Sequence, residues 1–263
     1  MCIKRQKIAQ MKISIITVCY NSASTIEQTI QSVLSQDFND FEYIVIDGGS
    51  KDATVEILEK YKDRIRYISE KDNGIYDAMN KGLKLAQGEI IGIIGADDFY
   101  PSDDVLSAVS AAFDQYGTDS IYGDVQFVNA GSEHKVVRYW KVEEYRKENW
   151  LNGFMPPHIA FYLKKSGYEK YGYYRTDLVC AGDYELMLRI LYKNNVSSKH
   201  ISKVLMTMRT GGTSNASLKH RLTANLEDRK AWKLNGIKPK WYTLWWKPLS
   251  KIRQLFVKFD IES

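Results

Sequence analysis

Cysteine is scarce in this 263-residue chain: Cys2, Cys19 and Cys180 are odd in number and far apart. They form neither a disulfide framework nor a zinc-binding spacing, and they suit a reducing compartment. No apolar run approaches the ~18 residues that a membrane-crossing helix needs. The first ten residues lack the apolar stretch of a secretion signal. There is no internal repeat, no low-complexity tract and no Gly/Ser linker, which favours one continuous domain with a C-terminal extension. With 44% hydrophobic and 26% charged residues, the composition is that of a globular chain able to bury a sizeable core.

Positive charge is concentrated at the ends. The net charge is +5, of which residues 1–10 carry +3 and residues 238–258 carry +6, while residues 11–237 sum to −2. A nucleic-acid-binding body would carry its positive charge on the folded surface, so nucleic acid is excluded as a partner. The basic extension points instead to something anionic.

Short β-branched runs at 12–19, 41–46, 65–69 and 89–94 alternate with helical periodicity that starts at Ser24 or Thr25 and recurs at 53–61 and 75–86. The alternation predicts an α/β fold, a Rossmann-like and mostly parallel sheet flanked by helices. Residues 1–11 read as a disordered leader, 12–100 as a nucleotide-binding half, 101–235 as an acceptor half and 236–263 as a C-terminal helical extension. In the second half, helices are expected at 105–116, 143–150 and 183–191, and strands at 120–127 and 159–163.

Sheets of this kind bind ligands beyond the carboxyl ends of their strands. Those ends carry Tyr20-Asn21, Asp47-Gly48-Gly49-Ser50 and Gly95-Ala96-Asp97-Asp98. Adjacent carboxylates just past a buried strand are costly unless neutralised. A hard cation such as Mg²⁺ or Mn²⁺ does this, sharing its shell with ligand phosphates. The plainer reading of Asp97-Asp98 is a cap on the next helix. Asp47 suits the N–H of a pyrimidine base or a simple turn. Tyr20 suits stacking on a base or packing in the core.

Five motifs follow in order: Ile15-Ile-Thr-Val-Cys-Tyr-Asn21, Ser32-Val-Leu-Ser-Gln36, Val45-Ile-Asp-Gly-Gly-Ser-Lys-Asp52, Asp72-Asn-Gly-Ile-Tyr-Asp-Ala-Met-Asn-Lys-Gly82 and Ala96-Asp-Asp98. Together they resemble the inverting family 2 glycosyltransferases with the GT-A fold. Pro157-His-Ile-Ala-Phe161 and Ala181-Gly-Asp-Tyr-Glu-Leu186 resemble the acceptor half of bacterial polysaccharide-assembling members. The resemblance implies a nucleotide site of Val18, Tyr20, Asp47, Asn80, Lys81 and Asp97, with Asn80 and Lys81 near the diphosphate. It implies Mn²⁺ or Mg²⁺ on Asp98, with Asp97 facing metal or ribose. It implies Asp183 as the general base, with Glu185 as its rival. Where relatives often carry a second acid after Asp47, this chain has Gly48; where many carry Glu before Asp183, it has Gly182.

His158, after a Pro-Pro turn, is a candidate contact for acceptor or phosphate, or a packed surface residue. Arg209 opens Arg209-Thr-Gly-Gly-Thr-Ser214, either a lid over a diphosphate or a plain surface loop. The extension holds three of the six tryptophans, at 241, 245 and 246, and an apolar stripe of Leu249, Ile252, Leu255, Phe256 and Phe259. Such a stripe between Trp and Lys/Arg suits anionic lipid at the inner face of the cell membrane; the other reading is packing on this domain or on a second subunit of a homo-oligomer. The expected activity is transfer of a sugar, from UDP foremost, to a hydroxyl of a glycan or polyprenyl-linked acceptor in the cytoplasm. The alternatives are a sugar nucleotidyltransferase, for which no Gly-rich loop with Arg and Lys follows the first strand, and an inactive nucleotide- or membrane-binding adaptor.

Overall fold

The computed structural model describes residues 11–210, 218–240 and 242–243. Residues 1–10, most of the proposed lid and nearly all of the basic aromatic extension lie outside the described residues, and so do the expectations placed on them.

The first half follows the alternation in the sequence. Strand β1 (Ile13–Cys19), helix α1 (Ile26–Leu34), β2 (Phe41–Asp47), α2 (Thr54–Lys60), β3 (Arg66–Ser69), α3 (Ile75–Leu85) and β4 (Ile90–Gly95) succeed one another. Strands β3, β2, β1 and β4 lie side by side, all parallel. Every residue of β1 is buried, because helices cover both faces of the sheet. On one face α1, α2 and α4 (Val105–Tyr116) pack through Ile26, Ile30, Val33, Leu58, Val109 and Phe113. On the other, α3 packs through Met79 and Leu83. A Cβ at Gly82 would sit 2.5 Å from the Ile16 side chain, so this glycine lets α3 approach β1.

The second half extends the same sheet. A two-residue strand β5 (Asp98–Phe99) follows β4; then come β6 (Ser120–Asn129), β7 (Ser132–Trp140), β8 (Phe161–Lys164) and β9 (Ser198–Arg209). Beyond β4 the order runs β8, β6, β9, β5, with β7 hanging on β6. Strand β8 is antiparallel to both β4 and β6, whereas β9 is parallel to β6. The sheet is thus parallel across β3, β2, β1 and β4 and mixed beyond them. Helices α5 (Lys165–Tyr171), α6 (Gly182–Met187) and α7 (Leu218–Leu234) join the α3 face.

Some local expectations shift. The helix expected at 143–150 is a 3-10 turn at Lys147–Asn152. The helix expected at 183–191 is α6 followed by a π-helical turn at Leu188–Lys193. Strands β7 and β9 and helices α5 and α7 were not expected. Strand β7 interleaves Lys135 and Arg138 with its apolar residues, and of the α7 residues whose burial is described, 223–234, only Asp228, Ala231 and Trp232 are buried. Neither shows a clean apolar period.

Trp232 is fully buried, and its indole N–H donates to Tyr184 Oη at 2.9 Å. Trp232→Ala is expected to lower unfolding free energy by about 3–5 kcal/mol, as large-to-small core changes do. Urea denaturation with an unchanged m-value checks this, and a loss below about 1 kcal/mol would contradict the packing of α7 on α6.

Candidate active site

The parallel strands end in register. Cys19 pairs with Asp47, and Val18 lies opposite both Ile46 and Gly95. The loops that leave β1, β2 and β4 therefore meet at one edge.

Asp47 builds that edge from within. Its carboxylate is fully buried and accepts the N–H groups of Gly49 at 3.1 Å and Ser50 at 3.0 Å, the Ser69 hydroxyl at 2.7 Å and the Ser50 hydroxyl. Burial and the neighbouring Asp47 push the Cys19 thiol far up, so Cys19 stays protonated. Asn21 sits in the left-handed region at φ 50°; its N–H donates to Ser50 Oγ at 2.7 Å, and its side-chain oxygen accepts the Lys51 N–H at 2.8 Å. The structure thus gives Asp47 its own loop as partner and leaves it no exposed face.

Two other groups frame the open side of Gly48. A Cβ there would lie 2.5 Å from Asp72 Oδ2 and 3.5 Å from Tyr20 Cδ2. The Tyr20 ring is 60% exposed. The other Asp72 oxygen accepts the Gly74 N–H at 2.9 Å. Lys81 binds Glu70 at 2.7 Å and the Lys71 carbonyl at 3.2 Å, which pins the segment carrying Asp72. Asp72 is the functional candidate that sequence reasoning left without a role. Its signal is an Asp-x-Gly turn that opens α3. Asn80 is spent elsewhere, with its amide clasping the Tyr174 backbone through two 2.9 Å bonds. The Val18 side chain belongs to the core.

Asp97 and Asp98 converge on Gly95. A Cβ there would lie 2.7 Å from Asp98 Oδ2 and 3.0 Å from Asp97 Oδ1. Asp98 is 4% exposed, and its carboxylate receives no hydrogen bond among the described residues. Burial and the neighbouring Asp97 push its pKa up to about 8, while Arg209 opposes them. Strand β9 delivers that arginine: Asp98 pairs with Met208, and Arg209 donates to the Asp97 carbonyl at 2.5 Å, binds Gln28 and lies over the Phe99 ring. An orphaned buried carboxylate beside a second one fits a hard divalent cation whose shell is completed by ligand oxygens. No cluster of three or more metal-ligating side chains occurs among the described residues.

Asp183 lies in the first turn of α6, half-buried, and Tyr76 Oη donates to its Oδ1 at 3.3 Å. Tyr76 stacks on Tyr174 at 5.7 Å, and His158 Nε2 and Tyr174 Oη share a 2.6 Å hydrogen bond. Burial pulls the His158 pKa below its ordinary value, and Asp183 opposes it. The turn before α6 is fixed from α7, where Glu227 accepts the N–H groups of Val179, Cys180 and Ala181 at 2.7–3.1 Å. Glu185 is not brought to this cluster. It is buried, forks onto Arg189 at 2.9 and 3.0 Å and accepts from Asn235 at 3.0 Å. On the helix, positions 183 and 185 face different sides.

A four-stranded parallel block with polar loops at its carboxyl edge, continued by an antiparallel strand and an acidic cluster, is the architecture of the GT-A glycosyltransferases. Residues 14–169 match the model of glycosyl transferase family 2, and the chain belongs to that family. A PGL/p-HBAD biosynthesis glycosyltransferase of Mycobacterium bovis is 36% identical over 117 residues, covering 43% of this chain and 46% of that protein. The chondroitin synthase of Escherichia coli is 26% identical over 198 residues, covering 73% of this chain and 28% of the synthase. The chain thus spans less than half the length of either relative. Among solved structures, S. aureus TarS 1-349 in complex with UDP-GlcNAc superposes with a TM-score of 0.68 at 22% identity, covering 86% of this chain and 65% of that one. Mannosyltransferase PcManGT from Pyrobaculum calidifontis, in complex with GDP-Man and Mn²⁺, superposes at 0.61 with 16% identity, covering 92% and 73%. At these identities the solved structures establish the shared fold.

Glu185→Ala is expected to take the carboxylate from the half-buried Arg189, which keeps the carbonyls of Tyr171, Gly172 and Tyr173, and to cost about 1–3 kcal/mol of stability. Nucleotide affinity should stay unchanged. Stability at the wild-type level would return Glu185 to the list of reacting groups.

Proposed function

We propose that this chain is an inverting glycosyltransferase that moves a sugar from a nucleoside-diphosphate donor, UDP foremost, to a hydroxyl of a glycan or lipid-linked acceptor. The observation that carries the reading is the pair Asp97-Asp98 at the end of β4. One of its carboxylates, that of Asp98, is buried with no hydrogen-bond donor among the described residues, and an oxygen of each faces Gly95. The donors named in the two solved neighbours, UDP-GlcNAc and GDP-Man, support the substrate class, and the Mn²⁺ of the second supports the metal.

In this reading the base lies against the exposed Tyr20 ring, and Asp72 accepts its N–H. Asp47 acts one layer deeper, since its carboxylate is already saturated by Gly49, Ser50 and Ser69. Asp98 and Asp97 hold Mn²⁺ or Mg²⁺, which when bound neutralises charge on the leaving diphosphate. Arg209 keeps Asp97-Asp98 in place through the Asp97 carbonyl. Asp183 takes the proton of the acceptor hydroxyl as that oxygen attacks the anomeric carbon from the face opposite the diphosphate. A single displacement inverts the carbon and needs no nucleophilic carboxylate.

Two variants separate these roles. Asp98→Ala should abolish metal-dependent nucleoside diphosphate binding in calorimetry; unchanged affinity with Mn²⁺ would remove Asp98 from the site. Asp183→Asn should keep that binding and lower transfer by roughly 10²- to 10⁴-fold, the usual worth of a positioned general base. Full transfer by Asp183→Asn would take the base role away from Asp183.

A further inference from the structure

We infer that Tyr76 is a positioning residue for the proposed base. It holds Asp183 by Oδ1 and leaves Oδ2 as the oxygen that receives the acceptor's proton. This rests on the reading of Asp183 given above. The two residues are 107 positions apart in sequence, one on α3 and one on α6, yet Tyr76 Oη donates to Asp183 Oδ1 at 3.3 Å. The Tyr76 ring is buried and lies directly against Gly182, the first residue of α6, so the phenol meets the carboxylate at the start of that helix. The contact ties one oxygen of Asp183 to α3.

Three further observations agree with this arrangement. The ring stacks on Tyr174 at an interplanar angle of 12°, which limits its freedom. Burial and the charge of Asp183 push the phenol far above its ordinary range, so it remains a donor. Gly182 leaves room for it: a Cβ there would lie 2.7 Å from both Tyr76 Cε2 and Cζ. Gly182 is thus matched to the tyrosine ring beneath it. Tyr76 also follows Asp72 by one turn of chain, so the element that frames the proposed base pocket also aims the proposed catalytic carboxylate.

During transfer the acceptor O–H proton passes to Asp183 Oδ2, and the acceptor oxygen bonds to the anomeric carbon. The bond from that carbon to the diphosphate oxygen breaks, and its electron pair leaves with the nucleoside diphosphate.

The test is a carbon-detected NMR titration of the Asp183 carboxyl in the full chain, which needs no acceptor. The titratable groups facing this carboxyl are Tyr76 from α3, His158 from the turn before β8, Tyr174 from the loop after α5 and Cys180 from the loop before α6. All but Tyr76 are common to wild type and Tyr76→Phe, so the difference between the two isolates the phenol. The midpoint is expected to be higher in Tyr76→Phe than in wild type, because a hydrogen bond to the charged form favours it. Gly182→Ala, which forces the ring aside, should raise it in the same direction. Unshifted midpoints in variants that melt like wild type would overturn the inference. Release of UDP from UDP-GlcNAc with Mn²⁺ by Asp183→Asn tests the base role separately. Wild-type release there would sink the base role even with the titration shift in place.

Discussion

Saturation of one buried carboxylate holds the candidate site together. Asp47 ends β2 with its charge out of water, and such a charge is tolerated only when donors surround it. Gly49, Ser50 and Ser69 supply them, drawn from the β2 loop and from β3. Ser50 in turn receives the N–H of Asn21, which turns the β1 loop back toward β2. Three strand ends are therefore locked by one group. Tyr20, Gly48 and Asp72 gain their relation to one another from this lock and from the ion pair of Lys81 with Glu70. Any nucleotide bound at this edge would meet a preformed surface rather than three independent loops.

The second half of the chain uses the same device with other residues. Glu227 gathers three N–H groups ahead of α6, and Glu185 with Arg189 and Asn235 fixes the back of that helix. Asp183 is left half-buried between these two supports. Charge on the two sides is thus divided: the carboxylates in the supports are paired or hydrogen-bonded, whereas Asp98 receives no donor among the described residues and Asp183 only the Tyr76 hydroxyl. That difference, more than the number of acids, separates architectural carboxylates from candidate reacting ones.

Much of this was legible in the sequence. The β-branched runs and the helical periodicity over residues 12–100 place the first four strands and the helices at 54–60 and 75–85 within one residue of their ends, and the start of the first helix within two. The polar clusters at Tyr20, Asp47 and Asp97-Asp98 stand at strand ends because the fold puts them there. What the sequence hid was orientation. Asp47 and Asp72 are both acids in Gly-containing loops, and only the hydrogen-bond partners show which one is saturated. Asp183 and Glu185 lie two residues apart, and only Arg189 and Asn235 show which one is buried. Strands β7 and β9 carry charges on a sheet margin, so burial did not imprint an apolar period on them. Arg209 reaches Asp97 across 112 residues through the pairing of β9 with β5, a contact that no local pattern encodes.

The account turns on whether this edge binds a nucleoside diphosphate through a divalent cation. A thermal-shift panel of wild-type protein with UDP, GDP, dTDP and CMP, each with Mn²⁺, Mg²⁺ or EDTA, tests it most directly. A ligand at 100 times its dissociation constant stabilises the folded chain by about 2.7 kcal/mol, which such a scan resolves. The account predicts a shift with one nucleoside diphosphate, UDP foremost, that appears with metal and disappears with EDTA. Equal melting with and without every nucleotide and metal would contradict it.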